Sequence, residues 1–212
     1  MRNLFNHEGP VMVFLTKFAY TAWLNILWFV CSLPIFTLGA ATTALYTVTL
    51  KMAADEEGNV TEQFFTAFGT NFKEATKAWL LLLLGGIVLA VDGYVLYHLR
   101  FDHAFWTVLF AVFIVMAAAY CFILLYVFPM IARFENTTFA MIKNALFVAM
   151  RFLICTAFLV VIHFSMLLVV VRFFTPAIIF GEGLVAYLSS LLLRGVLAQC
   201  EGKTEEDEKE QE

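Results

Sequence analysis

Four stretches of this chain, near 76–98, 104–129, 147–171 and 176–198, each run for about 20 residues or more with almost no charge. A helix rises 1.5 Å per residue, so about 20 apolar residues cross the hydrocarbon core of a bilayer. A fifth stretch, 18–50, has no charged residue at all. Composition agrees: 62% of the 212 residues are hydrophobic and 14% are charged. A soluble domain is roughly 45–50% apolar and about 25% charged. A globule of this size leaves much of its surface exposed and cannot hide so much apolar area. An ordinary soluble enzyme and a disordered body are both excluded, and a polytopic bundle of transmembrane helices remains.

The stretch 18–50 is too long for one untilted span, and Pro34 and Gly39 interrupt it. It suits a helix over 18–33, a tight turn, and a short or half-helix returning over 35–50. The distribution of Lys and Arg supports two crossings. With six membrane segments and both termini cytoplasmic, eleven Lys and Arg lie inside and two, Arg100 and Arg172, lie outside. The alternative is five crossings with the N-terminus outside. Residues 1–200 form a single transmembrane domain on this reading. The terminal run 201–212 carries seven acids and two lysines and reads as a solvated, disordered tail. It accounts for the net charge of −4, since the rest of the chain is close to neutral.

Two stretches outside the spans look amphipathic and suit helices lying at the cytoplasmic interface. Phe64, Phe65, Phe68 and Phe72 recur at helical spacing over 61–73, and Phe139, Ile142 and Leu146 form a stripe over 136–146.

Asn25-Ile-Leu-Trp28, Ser32-Leu-Pro34-Ile-Phe-Thr37-Leu-Gly39-Ala40 and Ala44-Leu-Tyr46 form a compact motif. It resembles the N-terminal signature of the YesL-like family of bacterial integral membrane proteins, a domain of unknown function. The stretch Phe64-x3-Phe68-x2-Asn71-Phe72 fits the same family, and the likeness extends loosely over about 3–200. The resemblance implies a Gram-positive-type plasma membrane and a link to saccharide uptake, because family members are commonly encoded near carbohydrate-utilisation genes and sugar ABC-importer components. It implies no catalytic residues, and the acidic tail lies outside the family pattern.

The candidate functional or packing residues are Asn25, Pro34, Thr37, Gly39, Tyr46, Asp92 and His163. Pro34, Thr37 and Gly39 mark the turn, where a broken helix exposes backbone groups either for packing or for a substrate. Asn25 suits interhelical hydrogen bonding. Asp92 and His163 are ionisable groups inside spans, which are site hypotheses by default; Arg100 is the expected partner of Asp92. Arg172 and Glu182 flank the other outer turn and are expected to pair across it. His98, Arg100, Asp102 and His103 lack the regular spacing of a metal site. The four cysteines read as small apolar residues. No P-loop, dinucleotide fingerprint, nucleophile–base arrangement or H-E-x-x-H occurs. No enzyme activity, cofactor or nucleic-acid partner is expected.

The leading expectation is a non-enzymatic accessory or assembly partner in carbohydrate uptake, embedded in the lipid bilayer and partnered by sugar ABC-importer subunits or by further copies of itself. The alternative is a small-solute transporter lined by the Pro34–Gly39 region, Asp92 and His163. The topology has a direct test. In a background free of native cysteines, a cysteine placed near Lys51, Arg133 or Lys203 should resist membrane-impermeant thiol reagents in intact cells. One placed near Arg100 or Glu182 should react. Labelling at the Lys51 and Lys203 positions from outside would invert the orientation.

Overall fold

The computed structural model describes residues 10–99, 104–172 and 177–209. Among these the chain is all-α. It comprises α1 (Pro10–Cys31), a 3-10 turn (Ile35–Thr37), α2 (Leu38–Ala53), α3 (Val60–Leu99), α4 (Ala104–Ile131), α5 (Thr138–Arg151), α6 (Leu153–Arg172) and α7 (Ala177–Lys209). Helices α1, α3, α4, α6 and α7 are long and apolar enough to cross a membrane. The protein is a membrane helical bundle.

The chain reverses between α1 and α2 as the Pro/Gly punctuation predicts. Pro34 takes an extended conformation (φ −76°, ψ 117°), which stops α1 from continuing. The Thr37 hydroxyl donates to the carbonyls of Cys31 and Pro34, both at 2.6 Å, and the Thr37 N–H donates to Pro34 O at 2.9 Å. These bonds satisfy backbone oxygens that the break in the helix leaves free. The two helices then run antiparallel. Trp28 Nε1 donates to Thr42 Oγ1 at 3.1 Å near the turn, and Lys17 pairs with Asp55 at the far end.

Helix α2 has 16 residues, about 24 Å, and twelve of them are buried. It packs against α1, α3, α4 and α7 and is a short core helix that returns the chain to the Lys17 end of α1. It ends in a Schellman cap. Glu56 N–H donates to Lys51 O at 2.9 Å and Asp55 N–H to Met52 O at 3.3 Å, with Asp55 in the left-handed region at φ 60°. Asp tolerates that conformation better than most residues. Two cations complete the end: Lys17 Nζ donates to Met52 O at 2.8 Å, and Arg194 donates to Ala53 O. Both oppose the partial negative charge of the helix C-terminus. The Asp55 carboxyl is held below its ordinary range by its hydrogen bond from Lys17 and by the charge of that ammonium.

Helix α3 differs from expectation. The amphipathic stretch 61–73 and the span that follows form one helix of 40 residues, about 60 Å long. Glu74 to Trp79 supply no Gly or Pro to break it. Its phenylalanine face does not lie free at an interface. Phe64 is fully buried, and Phe68 and Phe72 pack on the core, because this half of α3 is the partner of α2. A Cβ on Gly39 would lie 2.5 Å from both Ala75 O and Trp79 Cβ, and Trp79 Nε1 donates to Ile35 O at 2.7 Å. The second half of α3 pairs with α4, where Tyr120 OH donates to Leu82 O at 2.7 Å.

The second amphipathic stretch is a separate helix, α5, which ends at Phe152 (φ −110°, ψ 51°). The expected span 147–171 is therefore divided between α5 and α6. The buried face of α5 is Met141, Ala145, Val148 and Ala149, at helical spacing but displaced from the expected stripe, and Phe139 points outward at 75% exposure. Helix α7 continues to Lys209 and takes in much of the acidic run. Glu and Lys are good helix formers, and extending an existing helix carries no nucleation cost. Arg133 anchors the start of this run through a forked contact to Glu201, at 2.5 and 2.8 Å.

Gly39→Val should destabilise the protein by about 1–3 kcal/mol through overpacking against Ala75 and Trp79, read as a lower unfolding midpoint in detergent. Gly195→Ala is the control. Nothing lies within 4 Å of a Cβ at that position, and it should leave stability unchanged or slightly raised. Equal effects would contradict the close α2–α3 approach.

Candidate functional site

Two of the expected residues, Asn25 and Tyr46, converge on α7, and a third, His163, lies on the neighbouring α6. Asn25 is fully buried, and its Oδ1 accepts the Gly183 N–H at 2.5 Å, joining α1 to α7. Such an approach needs glycine, since a Cβ on Gly183 would collide with Thr21 O. Tyr46 is buried and lies beside Ser189. One turn further along α2, Thr49 Oγ1 and Ser190 Oγ share a hydrogen bond of 2.8 Å. His163 on α6 holds the Leu159 carbonyl with Nδ1 at 2.9 Å.

Glu182 sits among these groups. It interacts electrostatically with His163 from α6 and with Tyr46 from α2. The expected pairing with Arg172 is not made: among the described residues the two form no ion pair, and Arg172 is exposed. Glu182 is half-buried on α7, which packs against α1, α2 and α6. The available signal was Gly181-Glu182-Gly183, a carboxylate flanked by two glycines inside an apolar helix.

The other expected residues lie elsewhere. Pro34, Thr37 and Gly39 build the α1–α2 turn against α3. Asp92 is exposed in a separate groove of about 340 Å³ between α3 and α4. Its expected partner Arg100 lies outside the described residues, as do Asp102 and His103. A single path lined by the Pro34–Gly39 region, Asp92 and His163 is therefore not assembled.

A larger groove, of about 520 Å³, opens between α2, the first half of α3 and residues 131–135. Lys51, Glu62, Gln63, Asn71, Arg133 and Glu135 line it. The two cations and two acids balance, and Gln63 Oε1 is buried with no hydrogen-bond partner. The Glu201 carboxylate strengthens the charged form of Arg133. Lys17, Lys51, Arg133 and Arg194 gather at this end through their contacts with Asp55, the groove, Glu201 and Ala53. The structure thus places on one side basic residues that are far apart in the chain. Among the described residues, no three His, Cys, Asp or Glu side chains come together as a metal site.

Asn25→Leu should cost about 1 kcal/mol, the scale of an interhelical hydrogen bond in a membrane bundle. Ser165→Ala, at an exposed position on α6, should stay within about 0.5 kcal/mol. Unfolding in mixed detergent micelles measures both. A silent Asn25→Leu would remove the α1–α7 bond from the stability of the fold.

The same segments carry the likeness to known proteins. Residues 21–93, from α1 through the turn and α2 to most of α3, match a family model described as "Protein of unknown function, DUF624". The chain is 30% identical over 132 residues to the uncharacterized protein YesL of Bacillus subtilis (strain 168), covering 60% of this chain. The match spans about three fifths of that relative's length (61%). No solved structure matches the chain. The motif, the family model and the relative agree, and over these segments the chain is similar to the YesL-like membrane proteins.

Proposed function

We propose that the protein is a non-enzymatic accessory or assembly partner in carbohydrate uptake. It is held in the plasma membrane with both termini in the cytoplasm, and its partners are sugar ABC-importer subunits. One observation carries the accessory reading: the open, charge-balanced groove at the basic end of the bundle, where Lys51, Glu62, Asn71 and Arg133 offer donors and acceptors to a partner surface. Charged and polar groups in such a rim set partner choice and register more than raw affinity. The saccharide link rests on the family resemblance alone. The cytoplasmic placement rests on the excess of Lys and Arg at this end.

A second reading, a small-solute transporter, is favoured by Glu182 and His163 on the neighbouring helices α7 and α6, since ionisable groups within a bundle mark ion and proton routes. In proteoliposomes it requires substrate flux that Glu182→Gln abolishes.

Thr66→Trp, at an exposed wall of the groove, should leave expression unchanged and reduce co-purification of sugar-permease subunits after mild solubilisation by about tenfold, as expected for blocking an interface centre. Isolation of the wild-type protein free of any permease subunit, with normal sugar uptake in its absence, would sink the accessory reading.

A further inference from the structure

The paired faces of α3 and α4 beyond Leu82 form a two-ridged trough. Leu89, Asp92 and Leu96 make one wall and Leu109, Val112 and Met116 the other, around a volume of about 340 Å³. Both series recur every three or four residues, the spacing that seats a third helix between two. The walls are apolar except for Asp92, which is exposed and has no ion-pair partner among the described residues. Its neighbours Val91 and Tyr94 are 58% and 69% exposed. Asp92 lies seven residues before the end of α3 at Leu99, about 10 Å along the axis. A bare carboxylate facing hydrocarbon is costly and is ordinarily paired.

We infer that this trough docks a transmembrane helix of a partner protein carrying a lysine or arginine at the depth of Asp92. The inference rests on the accessory reading above and gives that partner a chemistry. Among the described residues, α3 beyond Lys77 and α4 supply no such cation to a second copy. Helix α4 contains no Lys or Arg, Lys17 and Arg194 are engaged by Asp55 and Ala53, and Arg172 stands at the very end of α6. An apolar trough with one carboxylate selects its occupant by shape and by charge together: an uncharged helix fills it and leaves Asp92 unpaired, whereas a cation-bearing helix satisfies both.

The test uses the full-length protein, fluorescently labelled through a terminal tag, in phosphatidylcholine–phosphatidylglycerol vesicles. Energy transfer reports its association with two synthetic transmembrane peptides. One is a leucine helix with a single lysine about seven residues from one end of its apolar segment, and the other is the same helix without the lysine. The lysine peptide should associate about tenfold more tightly, the scale of a charge pair sheltered from water. Asp92→Asn should erase the difference and Asp92→Glu should retain it. Equal association of both peptides would overturn the inference, and so would a preference that survives Asp92→Asn. Asp92-dependent self-association that excludes the peptide would also overturn it, in favour of a second copy. If the lysine preference is absent while permease subunits still co-purify, only the Asp92 docking fails. If the preference holds while co-purification is lost in the wild type, only the carbohydrate-uptake reading fails.

Discussion

The bundle depends on the burial of one short helix. Helix α2 is surrounded by α1, α3, α4 and α7, and small residues let its neighbours come close. Gly39 admits the Ala75 carbonyl and Trp79, and Ala40, Ala41 and Ala44 are fully buried. In a membrane, helices gain little by leaving lipid for one another, so close van der Waals packing and interhelical hydrogen bonds hold them together. A buried helix must also satisfy its exposed backbone ends. At the start of α2, Thr37 bonds the carbonyls of the turn. At its end, a Schellman cap and two cations from other helices do so. Removing α2 from its place would leave those cations, carbonyls and hydroxyls without partners together.

Around that core the polar groups divide into two sets with different surroundings. Asn25, Tyr46, His163, Glu182, Ser189 and Ser190 lie between helices, where hydrogen bonds and electrostatic contacts link α1, α2, α6 and α7. Lys51, Glu62, Asn71, Arg133 and Glu135 line an open groove at the basic end. The first set fixes how the spans pack, and the second presents a recognisable surface. The accessory reading draws on the second set, and a transport reading has to draw on the first.

The helical membrane bundle, the reversal at Pro34 and the likeness to the YesL-like proteins were legible in the sequence because each rests on local information. A charge-free run of sufficient length, a proline that stops a helix, and a motif of small residues and aromatics need no knowledge of neighbours. The roles of Asn25 and Gly39 were legible as packing, since small and amide side chains in spans usually serve that purpose. Glu182 was not, because its position beside an outer turn allowed two directions and only the packing of α7 chose between them. The fusion of 61–73 with the following span was equally hidden, since the same phenylalanine stripe serves a helix on lipid or a helix on another helix.

The sequence by itself determined that this chain enters a bilayer as helices, where it reverses, and which of its ends carry basic charge. Those outcomes follow from residue-by-residue transfer into hydrocarbon and from the backbone limits of proline. Only the tertiary structure decided which helix lies at the centre, which face of each amphipathic stretch is covered, and which polar side chains meet. Periodicity states that a helix has two faces, but a partner must be present before either face is inside. Met141 rather than Phe139 is buried on α5, and Thr49 meets Ser190, because the helices that cover them arrive from distant parts of the chain.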